Sequence, residues 1–112
     1  MRLFYQIFYG SPDVVIGRVW IFNFDAYTLL DPGATLSFVT PYIVVQFSVS
    51  PETLFEPFLV STPVDDLVIA WRVYRNCPIT VTQKVISTNL VELEMVNFDV
   101  ILGMDWLHFV MR

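Results

Sequence analysis

Hydrophobic and polar residues alternate with a period of two along parts of this chain, and this pattern predicts β-strands. The clearest case is a segment in which Val91, Leu93 and Met95 alternate with two glutamates. Such a strand buries one face and leaves the other in water. We therefore expect Glu92 and Glu94 to form a solvated face and not an acid/base pair.

Turn residues separate the other predicted strands. β-Branched and aromatic residues at Val14–Phe22 predict a first strand, with a bulge or bend at Gly17. A hairpin turn at Asn23–Ala26 leads to a return strand at Tyr27–Leu30. The later strands are predicted at Phe55–Ser61, Leu67–Tyr74, Ile79–Val85, Leu90–Met95 and Phe98–Leu102, with the turn between the third and fourth of them at Ile86–Asn89.

Helical patterns are few. The segment Thr40–Phe47 allows a short helix, because Thr40 can cap it and Pro41 suits its first turn. Its β-branched residues equally allow a strand. Near the end of the chain, Gly103 permits a turn, and a short helix is predicted at Met104–Phe109. The pattern as a whole predicts an all-β fold with one short C-terminal helix.

Composition narrows the possible functions. The chain has 112 residues, enough for one domain with a modest core. Its formal net charge is −5 and its six Lys and Arg residues are scattered, which argues against a direct nucleic-acid partner. With a single cysteine, Cys77, and a single histidine, His108, neither a disulfide framework nor a zinc site is expected. We predict no metal and no cofactor.

The distribution of apolar residues bears on location and partners. The longest charge-free run, Pro32–Pro51, contains prolines and polar residues and lacks the apolar continuity of a membrane helix. The N-terminal residues show no signal-peptide pattern. We therefore expect an intracellular, cytoplasmic protein without a membrane partner. Hydrophobic residues make up 55% of the chain, which suggests a surface that is covered by a partner, as in an obligate dimer.

The strongest chemical candidate is Asp31, which lies between two apolar runs in the segment Tyr27–Thr40. It enters a tight turn with Pro32, Gly33 and Ala34. Because buried strands flank this turn on both sides, we expect Asp31 to lie on a rigidly held loop. An ordinary surface turn is the alternative interpretation of the same residues.

Two separated motifs together resemble a known family. The Asp-x-Gly-Ala turn at Asp31 is followed about seventy residues later by ILGMDWL at Ile101–Leu107. This combination resembles the protease domain of gypsy-type LTR retrotransposons, a retropepsin-like aspartic protease. LSFVTPY at Leu36–Tyr42 and the stretch Val60–Val81 resemble plant members of that group. The resemblance extends over Val14–Leu107.

The resemblance implies a fold and a set of site residues. It implies a small closed barrel of the retropepsin type over residues 13–112, preceded by an unassigned leader at residues 1–12. Asp31 would be the catalytic acid, in an active-site turn with Pro32, Gly33 and Ala34. Ile101, Leu102 and Gly103 would support it. The hairpin that closes over a bound peptide, the flap, would be formed at its tip by Ser61, Thr62, Pro63, Val64, Asp65 and Asp66.

The resemblance also implies a mode of action. Aspartic proteases need two carboxylates, and the chain has one Asp-x-Gly turn, so a homodimer is expected. Its substrate would be a polypeptide, the element's own polyprotein, cleaved in the context of virus-like particles. Pro32 replaces the family's hydroxyl residue, and the chain ends soon after Leu107, as in a C-terminally truncated domain. These departures favour a degenerate enzyme.

Two other functions remain open at this stage. One is a catalytically inactive retropepsin-like domain that serves as a dimerisation or peptide-binding module. The other is an unrelated small β-barrel that binds an apolar ligand.

Overall fold

The computed structural model describes residues 3–6, 15–61, 67–95 and 98–110. None of the helices in these residues is long and apolar enough to cross a membrane. The described elements, in chain order, are β1 Leu3–Gln6, β2 Val15–Ile21, β3 Phe24–Leu30, β4 Ser37–Val39, α1 Pro41–Val44, β5 Glu52–Ser61, β6 Val68–Val81, β7 Lys84–Glu92, β8 Val100–Leu102 and α2 Met104–Val110.

The strands form a closed barrel. Going round the barrel, the described strands follow the order β6-β2-β3-β8-β4-β7, and β7 pairs with β6 again, which closes a ring of six strands. Strand β5 pairs with the first part of β6, and β1 pairs with the outer edge of β5. The predicted all-β closed barrel with a short C-terminal helix is confirmed. The additional four-residue helix α1 decides between the two alternatives for Thr40–Phe47 in favour of a helix.

Two hairpin turns differ from their predicted positions. Phe22 and Asn23 connect β2 to β3, with φ of 48° and 69°, and Thr82 and Gln83 connect β6 to β7, with φ of 50° and 66°. Positive φ at both residues matches the right-handed twist of a two-residue hairpin. The predictions of turns at 23–26 and 86–89 are therefore wrong. Because three of these four residues are not usual turn formers, composition did not reveal them.

The predicted irregularity at Gly17 is also absent from the pairing of β2 with β3. The register runs without interruption from Val15 opposite Leu30 to Ile21 opposite Phe24. Every residue of β2 thus has one partner on β3, which leaves no extra residue for a bulge. A Cβ added at Gly17 would meet nothing within 4 Å, so this glycine faces open space.

The buried residues form two apolar clusters. The first lies inside the barrel beneath α2 and includes Ile21, Leu102 and Trp106. The second lies between β3, β8 and the β5–β6 hairpin and includes Leu29, Val60 and Ile101, with Phe38 and Val73. Neighbouring residues of β8 belong to different clusters, so this short strand is buried on both faces.

The alternating segment Val91–Met95 begins at the end of β7 and continues beyond it, and its burial is as predicted except at one position. Its apolar residues are buried and Glu94 is exposed. The Glu92 side chain, however, is only 14% exposed. It accepts hydrogen bonds from Arg72 Nη1 and from the Tyr74 hydroxyl, each at 3.1 Å. Burial and then the charge of Glu92 raise the pKa of Tyr74 to about 12. The solvated position predicted for Glu92 is wrong, because a cation and a hydroxyl on β6 compensate its partial burial.

Candidate active site

Asp31 lies at the end of a central pair of parallel strands. Strand β3 runs parallel to β8, with Leu30 opposite Leu102. The Asp31 N–H extends this pairing by donating to the Leu102 carbonyl at 2.9 Å. The Asp31 side chain is fully buried. The sheet therefore fixes the backbone of this residue before the turn begins.

The turn itself orients the Asp31 carboxylate. The Gly33 N–H donates to Asp31 Oδ1 at 2.9 Å, and the Ala34 N–H donates to the Asp31 carbonyl at 3.0 Å. Pro32 and Gly33 are exposed, whereas Ala34 is buried. An aspartate that accepts a hydrogen bond from the backbone two residues on is a recurrent turn arrangement. The result is a buried carboxylate at the base of a turn whose tip lies at the surface.

Gly103 allows a second backbone segment to approach this turn very closely. A Cβ at Gly103 would lie 2.2 Å from the Leu36 carbonyl oxygen and 2.6 Å from that of Ala34. Directly after it, the Met104 N–H donates to the Ala34 carbonyl at 2.8 Å. The first turn of α2 is thus bonded to the Asp31 loop, which is possible only where position 103 has no side chain. The predicted support residues Ile101 and Leu102 are fully buried on β8, next to β3.

A side-chain contact that the sequence did not reveal adds to this junction. Ser37 Oγ donates to Asp105 Oδ1 at 2.6 Å and accepts from the Gly103 N–H at 3.0 Å. Burial raises the pKa of Asp105, and the Ser37 hydrogen bond lowers it in part. Ser37 and Asp105 belong to the LSFVTPY and ILGMDWL motifs. The two motifs were therefore signals for this contact, but their spacing along the chain does not say that they meet.

The predicted flap corresponds to the β5–β6 hairpin. Val60 lies opposite Val68, and Ser61 is the last residue of β5. The remaining predicted flap residues, Thr62, Pro63, Val64, Asp65 and Asp66, lie outside the described residues. Val60 is fully buried and belongs to the same cluster as Leu29 and Ile101. The described part of the hairpin therefore packs on the strands that carry the Asp31 loop.

An apolar groove borders the turn at Pro32. Its volume is about 300 Å³, and its lining includes Val15, Leu30, Pro32, Trp106, Leu107 and Val110. Within the described residues, no three His, Cys, Asp or Glu side chains lie close enough to hold a metal ion. The groove lining includes Pro32 of the turn but not Asp31 itself.

Comparison with known families identifies this arrangement. A family model described as Retroviral aspartyl protease matches residues 8–111. The chain belongs to this family. It is a retropepsin-like aspartic protease domain, as the two motifs predicted. No curated protein sequence matches the chain.

Solved structures show the same fold. The EIAV protease, complexed with the inhibitor HBY-793, has a TM-score of 0.66 and 19% sequence identity, over 93% of this chain and 94% of that one. The retroviral protease-like domain of Ddi1 from Leishmania major has a TM-score of 0.63 and 14% identity, over 85% and 75% of the two chains. At these identities the protease domain shares their fold, while its gypsy-type and plant-like affiliation stays a prediction.

Proposed function

We propose that this domain is an aspartic endopeptidase that acts as a homodimer, with one Asp31 from each copy. The observation that carries the proposal is the position of Asp31. Its carboxylate is fully buried, its backbone is bonded to β8, and its turn is bonded to α2. A carboxylate held so firmly on a loop is suited to a fixed role in catalysis.

The chemistry requires a second carboxylate beside the first. Two carboxylates that share a site cannot both ionise, so one stays protonated. The ionised Asp31 takes a proton from a water molecule as the water oxygen attacks the peptide carbonyl carbon. The protonated Asp31 of the second copy gives its proton to the carbonyl oxygen. The resulting tetrahedral intermediate then breaks its C–N bond as the nitrogen receives the proton that the first Asp31 took from the water, and a hydroxyl of the intermediate returns its proton to the second Asp31.

The surface around the turn supports a symmetric dimer. The exposed tip formed by Pro32 and Gly33 gives a second copy access to the turn. The apolar groove begins at Pro32, and a dimer interface would remove its lining from water. A two-fold axis passing near the tip would place two Asp31 side chains next to each other. The β5–β6 hairpin would then cover a peptide on the other side.

We further propose that the substrate is the polyprotein of a gypsy-type LTR retrotransposon that contains this domain. The support is the combination of the Asp31 turn with ILGMDWL at Ile101–Leu107. In such a setting the enzyme would act in the cytoplasm, within virus-like particles. A coding frame that continues into reverse transcriptase would support this context, and an unrelated neighbouring domain would contradict it.

Replacement of the proposed catalytic acid tests the enzyme directly. Asp31→Asn should lower the turnover of an apolar peptide at mildly acid pH by at least about a thousandfold, because it removes both carboxylates of the dimer. Asp25→Asn is the matched control, since Asp25 is an exposed aspartate on β3, the strand that leads to Asp31, and is paired with Arg18 at 3.4 Å. Turnover that survives the Asp31→Asn change would refute the proposed protease mechanism.

A second candidate function is supported by Pro32. It has neither a hydroxyl group nor an N–H, so it cannot hydrogen-bond across a dimer axis through either group. The domain would then serve as an inactive dimerisation or peptide-binding module. Analytical ultracentrifugation that shows a dimer, together with undetectable turnover in the unmodified chain, would favour this candidate. Turnover that appears in Pro32→Thr would assign the inactivity to this residue.

A further inference from the structure

The N-terminal strand pairs with the β5–β6 hairpin and not with the barrel. Residues Leu3–Gln6 run parallel to Phe58–Ser61, with Leu3 opposite Phe58 and Gln6 opposite Ser61. Strand β1 is the outermost strand of the described sheet, and the closed ring of six strands does not include it. Its detachment would therefore leave the barrel closed.

Only a short part of the outer edge of β5 can pair with another strand, and β1 occupies all of it. Pro57 has no N–H to donate to a neighbouring strand. The β5–β6 register is also irregular between Thr53 and Phe58. Towards the tip, the described strand ends at Ser61. Strand β1 thus pairs with every residue of β5 that follows Pro57.

The covered edge lies close to the candidate active site. Val60, one of the paired residues, belongs to the apolar cluster that contains Leu29 and Ile101. Leu29 precedes Asp31 by two residues on β3. An extended segment on this edge of β5 is therefore attached to the hairpin that packs against the strands of the Asp31 loop.

We propose that the outer edge of β5 is a binding edge for an extended, uncharged peptide, and that residues 3–6 of the chain occupy it as an internal competitor. An unpaired strand edge offers N–H and C=O groups to any extended chain, and peptides bind proteins in this way. Neither Leu3–Gln6 nor Phe58–Ser61 contains a charged residue, so an uncharged apolar peptide matches the edge. The proposal concerns binding alone and does not require hydrolysis.

The internal segment has a large advantage over a free peptide. A tethered strand has an effective concentration on the order of millimolar, so it excludes a peptide present at micromolar concentration. Release of β1 should therefore raise the affinity for a free peptide by at least about tenfold. The pairing of β1 with β5 would keep the edge covered until a stronger ligand displaces β1 or the N-terminal segment is removed.

The test uses full-length chains that all carry Asp31→Asn, so that hydrolysis does not affect binding. One chain is otherwise unchanged, and in the other Leu3, Phe4, Tyr5 and Gln6 are replaced by alternating Gly and Ser. Fluorescence anisotropy measures binding of a labelled peptide with the sequence of residues 3–9, followed by an uncharged Gly/Ser tail for solubility. We expect at least tenfold tighter binding to the Gly/Ser chain. Equal affinities would overturn the proposal.

Amide hydrogen exchange locates the effect on β5. In the Gly/Ser chain without peptide, the alternate amides of Phe58–Ser61 whose N–H groups face β1 should exchange at least about tenfold faster, and added peptide should restore their protection. The amides of Leu29 and Ile101 should not change. Tighter binding without a change at Phe58–Ser61 would overturn the assignment of the edge.

Two single substitutions provide the test if the chain with all four residues replaced fails to fold. Alternate residues of an edge strand direct their N–H groups to the neighbouring strand or to solvent. Of Phe4→Pro and Tyr5→Pro, one should therefore release β1 and raise peptide affinity, and the other should resemble the unchanged chain. Identical affinities for both variants and the unchanged chain would contradict the pairing of β1 with β5.

Discussion

The junction around Asp31 and the β5–β6 hairpin pack against the same apolar cluster, but they are held in different ways. At the junction, backbone and side-chain hydrogen bonds from β8 and α2 converge on one loop, and Gly103 lets the segments touch. The hairpin has an irregular register, an outer edge, and an exposed ion pair between Arg75 and Glu52. Exposed ion pairs contribute little to stability.

This difference is what the proposed endopeptidase would need. A catalytic carboxylate must stay in place, whereas the segment that covers the substrate must open and close. Local stability varies within one domain according to buried contacts and hydrogen bonding. Substitutions at the junction should therefore cost more stability than matched substitutions elsewhere in the domain.

Gly103→Ala should have the largest effect. The added Cβ would lie far inside the contact distance of two backbone carbonyl oxygens, so the Asp31 loop and α2 must separate. We expect a loss of about 3 kcal/mol or more of unfolding free energy, measured by urea denaturation. Gly17→Ala is the control, because nothing lies within 4 Å of its added Cβ. A loss at Gly103 no larger than at Gly17 would show that the junction is not tightly packed.

Ser37→Ala should have an intermediate effect. It removes the acceptor of the buried Gly103 N–H and the hydroxyl donor to the partly buried Asp105. A buried polar group that loses its partner costs about 1–3 kcal/mol. Ser61→Ala, at the end of β5, makes the same chemical change on the hairpin and should cost less than about 0.5 kcal/mol. Similar losses at both serines would remove the proposed difference between the two regions.

Asp105→Asn should have the smallest effect, and the effect should depend on pH. Because burial raises the pKa of Asp105 in the folded chain, folding favours the protonated carboxyl. The stability from this group is full below its unfolded pKa of about 4 and is lost as pH rises through the folded pKa. The variant should therefore gain stability relative to the unmodified chain between strongly acid and neutral pH. Melting temperatures of the two chains measure this change. If their difference stays constant over this pH range, the raised pKa of Asp105 is contradicted.

The fold class and the position of Asp31 could be predicted from sequence because they depend on local features. Alternation and β-branched runs predicted most strands, and two apolar runs around Asp31 predicted a loop beside the core. The hairpin turns were misplaced because Phe22 and Thr82 adopt positive φ without a typical turn composition. There, pairing between strands outweighs the preference of a single residue.

The sequence alone thus determined an all-β chain with one acid in a tight turn, and two motifs that together indicate a retropepsin-like protease. The tertiary structure decided how those motifs meet. Ser37 and Asp105 are 68 positions apart along the chain, yet they share a hydrogen bond of 2.6 Å. No sequence pattern predicted the pairing of Leu3–Gln6 with β5 either. Local patterns record which residues are buried, whereas contacts between distant segments depend on how the strands are ordered in the barrel.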